Sequence, residues 1–330
     1  MKPILAWMLL LLVPSFAAGS QDGADWLMKI NNAARELNYT GIFVYVEGHR
    51  IASMRVTHRV SGGAMRQRIY SLNGEPREVI RDDHQVWCYV PDKKLGVHEY
   101  RQVSKKGFPN LLPRGLEHLV KYYEVYMGAP GRIADRQAQQ IMVVPRDGMR
   151  YGYELWADER TGLLLKAALL DEENRPIEQY LFTNVEIGGD IDPASLEPVT
   201  PESDLVWYGD AQAGESREKN LSSEGGEMPA GNWTAEEMPD GFSLTRSIKR
   251  KSPMRSGMVE HYVYSDGLAT VSVFVEELDG DTTARISGIN KMGAVHAFGR
   301  ELDGHQITVV GEVPSQTVDL IGMSVRPKKQ

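Results

Sequence analysis

The stretch from Gly131 to Ile187 limits the possible folds of this chain most, because it has the pattern of four consecutive β-strands. The apolar run Ile141–Val144 is followed by a turn at Arg146-Asp147-Gly148, where glycine accepts the positive φ of a tight hairpin. The strand Leu163–Leu170 is apolar on both faces except at Lys166. Such a strand needs cover on both sides. The pattern predicts a curved antiparallel meander with another segment in its hollow.

The chain before this stretch is predicted to be one helix followed by antiparallel strands. The helix runs from Ala24 to Leu37 with Asp22 as its N-cap, because apolar residues recur there at helical spacing. Short connections such as Glu47-Gly48 favour antiparallel pairing of the strands that follow. Those strands are predicted at Thr40–Val46, Ile51–Val60, Met65–Ser71, Glu78–Arg81 and Val86–Val90.

Residues 107–127 interrupt the strands with an apolar segment that lacks a strand pattern. A short helix is predicted from Arg114 to Tyr123, since Pro113 is tolerated in the first turn of a helix. The segment is either ordinary core or a plug for the hollow of the curved sheet. The sequence alone leaves both roles open.

The composition changes at residues 209–231, which are rich in Gly, Ser, Glu and Ala and have little to bury. This segment is predicted to be a flexible linker between residues 20–208 and residues 232–325. The second domain is predicted to be a small α+β unit, with a closing helix from Pro314 to Met323 capped by Ser315. Its strands are predicted at Ser243–Lys249, Val259–Tyr264, Ala269–Glu276, Ala294–Glu301 and Gln306–Val310.

Residues 1–19 have the features of a secretory signal peptide. Lys2 supplies a short basic region, Ile4–Val13 is an unbroken apolar run, and small residues permit cleavage after Ala17 or Gly19. A membrane anchor is the alternative, but the run is shorter than the roughly 20 residues that span a bilayer. The formal net charge of −8 argues against a nucleic-acid-binding protein, whose binding domain is usually basic.

The sequence offers no recognisable catalytic or metal-binding motif. The eight histidines are scattered, without an H-E-x-x-H pair, and Cys88 is the single cysteine, which excludes an intramolecular disulfide and a multi-thiolate metal site. The S-x-x-K match from Ser216 to Lys219 lies in the predicted linker, where no rigid base could activate a hydroxyl. We therefore expect neither an enzyme nor a bound cofactor or metal.

Two features favour a binding function. Large apolar side chains on the N-terminal strands and in residues 107–127 would line a ligand cavity if the curved sheet is hollow, and would form plain core if it is filled. A basic run in this acidic chain is either a solvated surface or an electrostatic site for an anionic partner. The candidate cavity residues are Phe43, Tyr45, Trp87, Tyr89, Leu112, Leu116, Leu119 and Tyr123. The candidate partner-binding residues are Arg246, Lys249, Arg250, Lys251 and Arg255.

Several short motifs, spread in order over nearly the whole chain after residue 19, carry a family resemblance. They lie at Leu37–Tyr39, Arg77–Ile80, Gly131–Arg136, Val143–Tyr151, Leu169–Asp171, Tyr264–Leu268 and Ile307–Glu312. Together they resemble the RseB/MucB family, which consists of periplasmic negative regulators of the sigma-E envelope-stress response.

The resemblance implies an α+β protein. Its N-terminal domain would be an open antiparallel β-barrel covered by helices around an apolar cavity, similar to the lipoprotein carriers LolA and LolB. The protein would bind the periplasmic domain of a transmembrane anti-sigma factor of the RseA or MucA type, in part through its C-terminal domain, and shield it from site-1 proteolysis. Lipopolysaccharide or another acylated amphiphile would occupy the cavity and release the complex.

Two further expectations accompany this resemblance. Family members self-associate, which implies a homodimer. The alternative function is that of a periplasmic carrier of lipoproteins or lipids, although a carrier of this fold does not require the C-terminal domain.

Overall fold

The computed structural model describes residues 19–100, 108, 111–113, 116, 119–209, 231–251, 258–278 and 286–328. Nearly all of the predicted signal peptide and of the predicted linker lies outside these residues, as does Arg255 of the basic run. Within them, no helix is long and apolar enough to cross a membrane.

The N-terminal part of the chain forms one sheet of twelve strands. The strands are β1 Tyr39–Glu47, β2 Arg50–Ser61, β3 Ala64–Ser71, β4 Glu78–Asp82, β5 Gln85–Val90, β6 Leu95–Tyr100, β7 Tyr123–Ile133, β8 Arg136–Pro145, β9 Gly152–Asp158, β10 Leu164–Leu170, β11 Pro176–Ile187 and β12 Val206–Gly209. Their spatial order is β12-β6-β5-β4-β3-β2-β1-β11-β10-β9-β8-β7. The sheet is therefore open, with β12 and β7 at its edges, and only β12 pairs in parallel, with β6.

The predicted meander is confirmed as β8 to β11, which pair antiparallel in chain order. Strand β10 is buried along its whole length except at the half-buried Lys166, as its apolar pattern predicted. Strand β11 then pairs with β1, and this pairing joins the meander to the earlier strands. The first helix packs near β10 from one side, and Leu169 of the same strand contacts Ala294 of the C-terminal domain.

Helix α1 spans Gly19–Glu36 and buries Leu27 and Ile30 in the N-terminal core. The predicted helix is confirmed, but the prediction of Asp22 as its N-cap is wrong, because the helix begins before that residue. Asp22 lies in the first turn, where a carboxylate is favoured by the positive end of the helix dipole.

The predicted helix from Arg114 to Tyr123 is wrong in its bounds. The helix in this region, α2, spans only Leu119–Tyr122, and Tyr123 already begins β7. The pairing of β7 with β8 explains why the helix ends before Tyr123. From Tyr123 onward the backbone groups form hydrogen bonds with β8, and a longer helix would break these bonds. Phe108, Leu112 and Leu119 from this region are buried in the N-terminal core.

The C-terminal part forms a six-stranded antiparallel sheet and a separate two-stranded sheet. The strands are β13 Trp233–Ala235, β14 Ser243–Lys251, β15 Met258–Ser265, β16 Thr270–Glu277, β17 Gly288–Met292, β18 Val295–Leu302, β19 His305–Gly311 and β20 Val325–Pro327. The large sheet has the order β14-β15-β16-β19-β18-β17, and β13 pairs with β20. Short 3₁₀ turns lie in the N-terminal part at Pro91–Lys93, Pro193–Leu196 and Glu202–Asp204.

Helix α3, Ser315–Ser324, covers the C-terminal sheet and buries Val318 and Ile321. The prediction of Ser315 as its cap is wrong, because Pro314 occupies the N-cap and provides no side-chain hydrogen bond. The sequence did not indicate β17, since all five of its residues are exposed and no alternation of apolar residues marks it.

Candidate functional site

The two sheets meet at a joint centred on Arg150, which follows the β8 strand. Its guanidinium is 0% exposed and donates from Nη1 to Oδ2 of Asp266, 2.7 Å away, in the turn between β15 and β16. It also donates from Nη2 to Asp147 (2.9 Å) and to the backbone carbonyl of Asp240 (2.7 Å). Burial opposes the charge on Arg150, but the hydrogen bond to Asp147 and the charge of Asp266 hold its pKa above the usual value.

Aromatic rings enclose this ion pair. The Arg150 guanidinium lies 5.3 Å from the Tyr122 ring centroid and 5.1 Å from that of Phe242, within the range of a cation–π contact. The Tyr123 hydroxyl donates to Oδ2 of Asp266 at 2.8 Å, and burial followed by the Asp266 charge raises the pKa of Tyr123. The buried carboxylate of Asp266 therefore has donors from both charged and neutral partners.

Further contacts extend the joint along α3 and β18. The Thr317 hydroxyl donates to the Met149 carbonyl at 2.7 Å, and the Gln316 amide donates to the Gly148 carbonyl. His296 Nδ1 lies 2.8 Å from the Val313 carbonyl and 3.2 Å from the Tyr151 hydroxyl. The joint thus contains charged, polar and apolar contacts between the two domains.

A cavity of about 380 Å³ lies at the same joint. Its walls combine Tyr153, Leu169 and Tyr180 of the N-terminal sheet with Leu268 and Thr270 of the C-terminal domain. Two carboxylates also line it, Glu178 from β11 and Glu312, which follows β19. The cavity therefore has both apolar and polar walls, with acidic groups contributed by both domains.

Glu178 is an acid of this site with a raised pKa. Burial raises its pKa to about 7, with further contributions from the charges of Glu312 and Glu47. Glu47 lies directly opposite Glu178 in the pairing of β1 with β11. The Tyr45 hydroxyl interacts with both of these carboxylates.

Most candidate cavity residues lie together, but they pack against protein. Phe43, Leu112, Leu119 and Tyr123 belong to the N-terminal core, and Leu116 packs against it. The Phe43 ring lies 5.1 Å from that of Phe108, so the segment before α2 contributes to the packing inside the curved sheet.

The three other candidate cavity residues lie elsewhere. Tyr45 contacts Tyr180, which lines the cavity at the joint, at a ring-centroid distance of 4.9 Å. Trp87 stacks on His98 at 5.2 Å, and Tyr89 contacts Trp207 at 5.3 Å, both at the far end of the sheet. The structure therefore does not bring Trp87 and Tyr89 together with the rest.

The basic run lies on the edge strand β14 of the C-terminal sheet. The Lys249 ammonium group lies 3.1 Å from the Glu260 carboxylate, and Arg246 is half-buried. Arg250 and Lys251 belong to the same strand, while their side chains and all of Arg255 lie outside the described residues. Among the described residues, no cluster of three or more His, Cys, Asp or Glu could hold a metal ion. Cys88 lies half-buried in β5.

Arg150, Asp266 and Glu178 were not identified from the sequence. Arg150 and Asp266 belong to the motifs at Val143–Tyr151 and Tyr264–Leu268, which carry the family resemblance but indicate no role for either residue. The sequence signal for this pair was a positive residue in one predicted turn and a negative residue in another. Sequence spacing could not show that the two turns meet.

Family models match both domains. Residues 22–200 match the model of the MucB/RseB N-terminal domain, and residues 227–326 match that of the MucB/RseB C-terminal domain. The chain belongs to the MucB/RseB family. Its curated relatives include the Sigma factor AlgU regulatory protein MucB of Pseudomonas aeruginosa, 32% identical over 97% of this chain and 95% of that protein. The Sigma-E factor regulatory protein RseB of Escherichia coli K12 is 27% identical over 96% of this chain and 94% of that protein.

Solved structures of MucB have the same fold as this MucB/RseB family member. The crystal structure of MucB in complex with MucA(peri) has a TM-score of 0.72 at 29% identity, covering 94% of this chain and 100% of that chain. The complex of Pseudomonas aeruginosa MucA and MucB has a TM-score of 0.74 at 30% identity, with the same coverage. The recognition of the family from its short motifs is confirmed. The expected α+β fold, an open antiparallel barrel with a smaller C-terminal domain, is confirmed as well, and its N-terminal strands form an open sheet that does not close.

Proposed function

We propose that this protein is a periplasmic regulator that binds the periplasmic domain of a transmembrane anti-sigma factor and thereby controls a sigma-E-type factor. One observation carries the proposal: the chain shares its fold over 94% of its length with MucB in the complex with MucA(peri), at 29% identity. The names of the curated relatives, which are sigma-factor regulatory proteins, agree with it. The signal-peptide pattern of residues 1–19 supports export to the periplasm.

In this proposal the bound regulator shields the anti-sigma factor from site-1 proteolysis, and lipopolysaccharide or another acylated amphiphile releases it. The aliphatic and tyrosine side chains that line part of the cavity at the joint support contact with an acyl chain, and its volume of about 380 Å³ is within the usual range for small-molecule sites. A ligand that binds the free form better than the complex shifts the equilibrium towards release, and the anti-sigma factor weakens ligand binding by the same factor.

The proposal includes no catalytic role, which the lack of a recognisable catalytic motif in the sequence supports. It also includes a homodimer, on the basis of the family resemblance. Light scattering of the purified chain without its signal peptide tests this part: a monomer at every concentration would contradict it.

Binding of an anti-sigma factor is tested with the chain without its signal peptide and the purified periplasmic domain of the anti-sigma factor of the same organism. Pseudomonas aeruginosa MucA(peri) serves as a second probe. Calorimetry should detect a saturable complex, and lipid A should lower its apparent affinity. Lack of binding to both probes would contradict the proposed function, whereas binding without any lipid effect would contradict only the release step.

The basic run provides a second arm of the same experiment. Replacing Arg246, Arg250, Lys251 and Arg255 with Gln should weaken partner binding and flatten its salt dependence, because long-range attraction is screened by salt. Lys249 is left in place because it interacts with Glu260. Unchanged affinity at low salt would assign the run to the solvated surface.

A further inference from the structure

Three carboxylates come together where the two domains meet. Glu47 and Glu178 are direct neighbours across β1 and β11, an arrangement in which like charges are destabilising. Glu312 of the C-terminal domain lines the same cavity as Glu178. The Glu47 carboxylate also reaches the other domain, since a Cβ placed on Gly293 would clash with it.

Among the described residues, Glu178 faces neutral side chains on the neighbouring strands apart from Glu47. Three neutral tyrosine hydroxyls face the cavity or the acids, from Tyr45 on β1, Tyr180 on β11 and Tyr153 on β9. On β10, the residue paired with Glu178 is Leu169. In the part of the chain that the structure describes, Arg50 lies 3.7 Å from Glu47, and its side chain is 86% exposed. Burial and the other two carboxylates therefore favour the protonated form of Glu178, whose pKa is about 7.

We propose that proton uptake by Glu178 stabilises the contact between the two domains. The closed form, in which the domains are in contact, is then favoured over the open form more strongly in a mildly acidic medium than in an alkaline one. The proton removes one of three neighbouring negative charges. It also converts Glu178 into an O–H group, which can donate to a neighbouring carboxylate of the cluster instead of repelling it. This inference concerns the joint alone and does not depend on the proposed anti-sigma partner.

The direction and the size of the expected pH effect on domain closure follow from proton linkage. When the domains part, Glu178 loses Glu312 and its cover, and its pKa moves back towards the ordinary carboxyl value. The closed form then binds more protons than the open form, so closure is favoured below about pH 7 and weakens as the pH rises through that value. For one group that titrates near 7 only in the closed form, the closure constant should be about tenfold larger at pH 6 than at pH 8.

The separation of the two domains can be measured through the reactivity of a thiol that is buried at the joint. Ala294 is fully buried against Tyr151 and Leu169 across the joint, and an Ala294→Cys variant in a Cys88→Ser background reacts with a thiol reagent only when the domains part. After correction for thiolate content with a small model thiol, its reaction should be about tenfold slower at pH 6 than at pH 8. Glu178→Gln should remove this pH dependence, while Glu186→Gln, an exposed acid on the same strand, should keep it.

The same protein offers a second measurement if the engineered thiol disturbs folding. Amide hydrogen exchange of the wild-type segment 148–152, corrected for the intrinsic pH effect, should show the same tenfold difference. A flat corrected profile in the wild type would overturn the proposal. A pH dependence that survives Glu178→Gln would also overturn it, because the proton would then belong to another titratable group at the joint, such as Glu312, Glu47 or His296.

Discussion

At the residue scale, the Arg150–Asp266 pair holds the joint through a buried charge on each side. Both side chains are 0% exposed, and the two residues are far apart in sequence. Removal of one partner of such a pair leaves an uncompensated charge in a low-dielectric site, which is costlier than the loss of a surface ion pair. Oδ1 of Asp266 accepts from the backbone amides of Leu268 and Ala269, so the same residue also shapes its own turn.

Asp266→Asn should destabilise the protein by about 3 kcal/mol, the lower end of the range for breaking a buried pair, because Asp147 still faces Arg150. Asparagine retains Oδ1 for the turn amides, but its Nδ2 cannot accept from Arg150 and Tyr123, so the loss reports the charge together with these two hydrogen bonds. Denaturant unfolding measures it, with Asp147→Asn as the matched control at the partly exposed end of the same guanidinium. Equal losses in both variants would contradict a special role for the buried partner.

The lowered pKa of Asp158 makes the free energy of unfolding depend on pH in the acidic range. Burial opposes its ionisation, but hydrogen bonds from Arg136 Nε (2.6 Å) and the Thr161 hydroxyl (2.7 Å) hold its pKa below the usual value. Its stabilisation is therefore present at neutral pH and is lost as the pH falls through the lowered pKa. Asp158→Asn should cost about 1–3 kcal/mol at pH 7 and progressively less below pH 4. Thermal unfolding from pH 7 to 2 measures this, and a pH-independent loss, or the same loss in the exposed Asp190→Asn variant, would contradict it.

At the element scale, the segment before β7 decides whether the curved sheet is hollow. Phe108, Leu112 and Leu119 pack in the core, and the Phe108 ring stacks on Tyr180 at 5.3 Å. These contacts support the role of ordinary core for this segment. The cavity at the joint lies beside it, since Leu111 is one of its lining residues.

Leu119→Ala should then lower the free energy of unfolding by about 2–5 kcal/mol, because it removes a fully buried side chain from packed core. Val120→Ala, at a 44% exposed position of the same helix, should change it by less than about 0.5 kcal/mol. Thermal unfolding with and without lipid A compares the two. A small loss for Leu119→Ala, together with weaker stabilisation by lipid A than in the wild type, would instead indicate a ligand against this side chain.

At the scale of the whole molecule, two sheets are held by a joint to which Tyr123 and the segment Asp147–Tyr151 contribute polar contacts with the C-terminal domain. Cleavage within the predicted linker, residues 209–231, should leave these contacts intact. The two fragments should therefore co-elute in size-exclusion chromatography, and the Asp266→Asn variant should separate at a lower denaturant concentration. Separation of the wild-type fragments without denaturant would show that the joint needs the covalent connection.

The sequence by itself determined the features that depend on local periodicity and turn chemistry. The meander from β8 to β11, the helix α1 and five of the C-terminal strands follow from alternation or helical spacing along one segment, because each pattern records which face is buried. The family also follows from short motifs. The edges of helices were less certain, as Asp22, Ser315 and Tyr123 show, because capping and strand pairing compete for the same residues.

Only the tertiary structure decided the joint and its cavity. No local pattern relates Arg150 to Asp266, or Glu178 to Glu312, since the packing of two separately formed sheets brings these pairs together. The same packing decided that Phe43 meets Phe108 in the N-terminal core and that Trp87 lies away from Phe43. The sequence determines the chemical type of each side chain. The folding of distant segments determines its neighbours, and its protonation depends on burial and on the charges that these segments bring close to it.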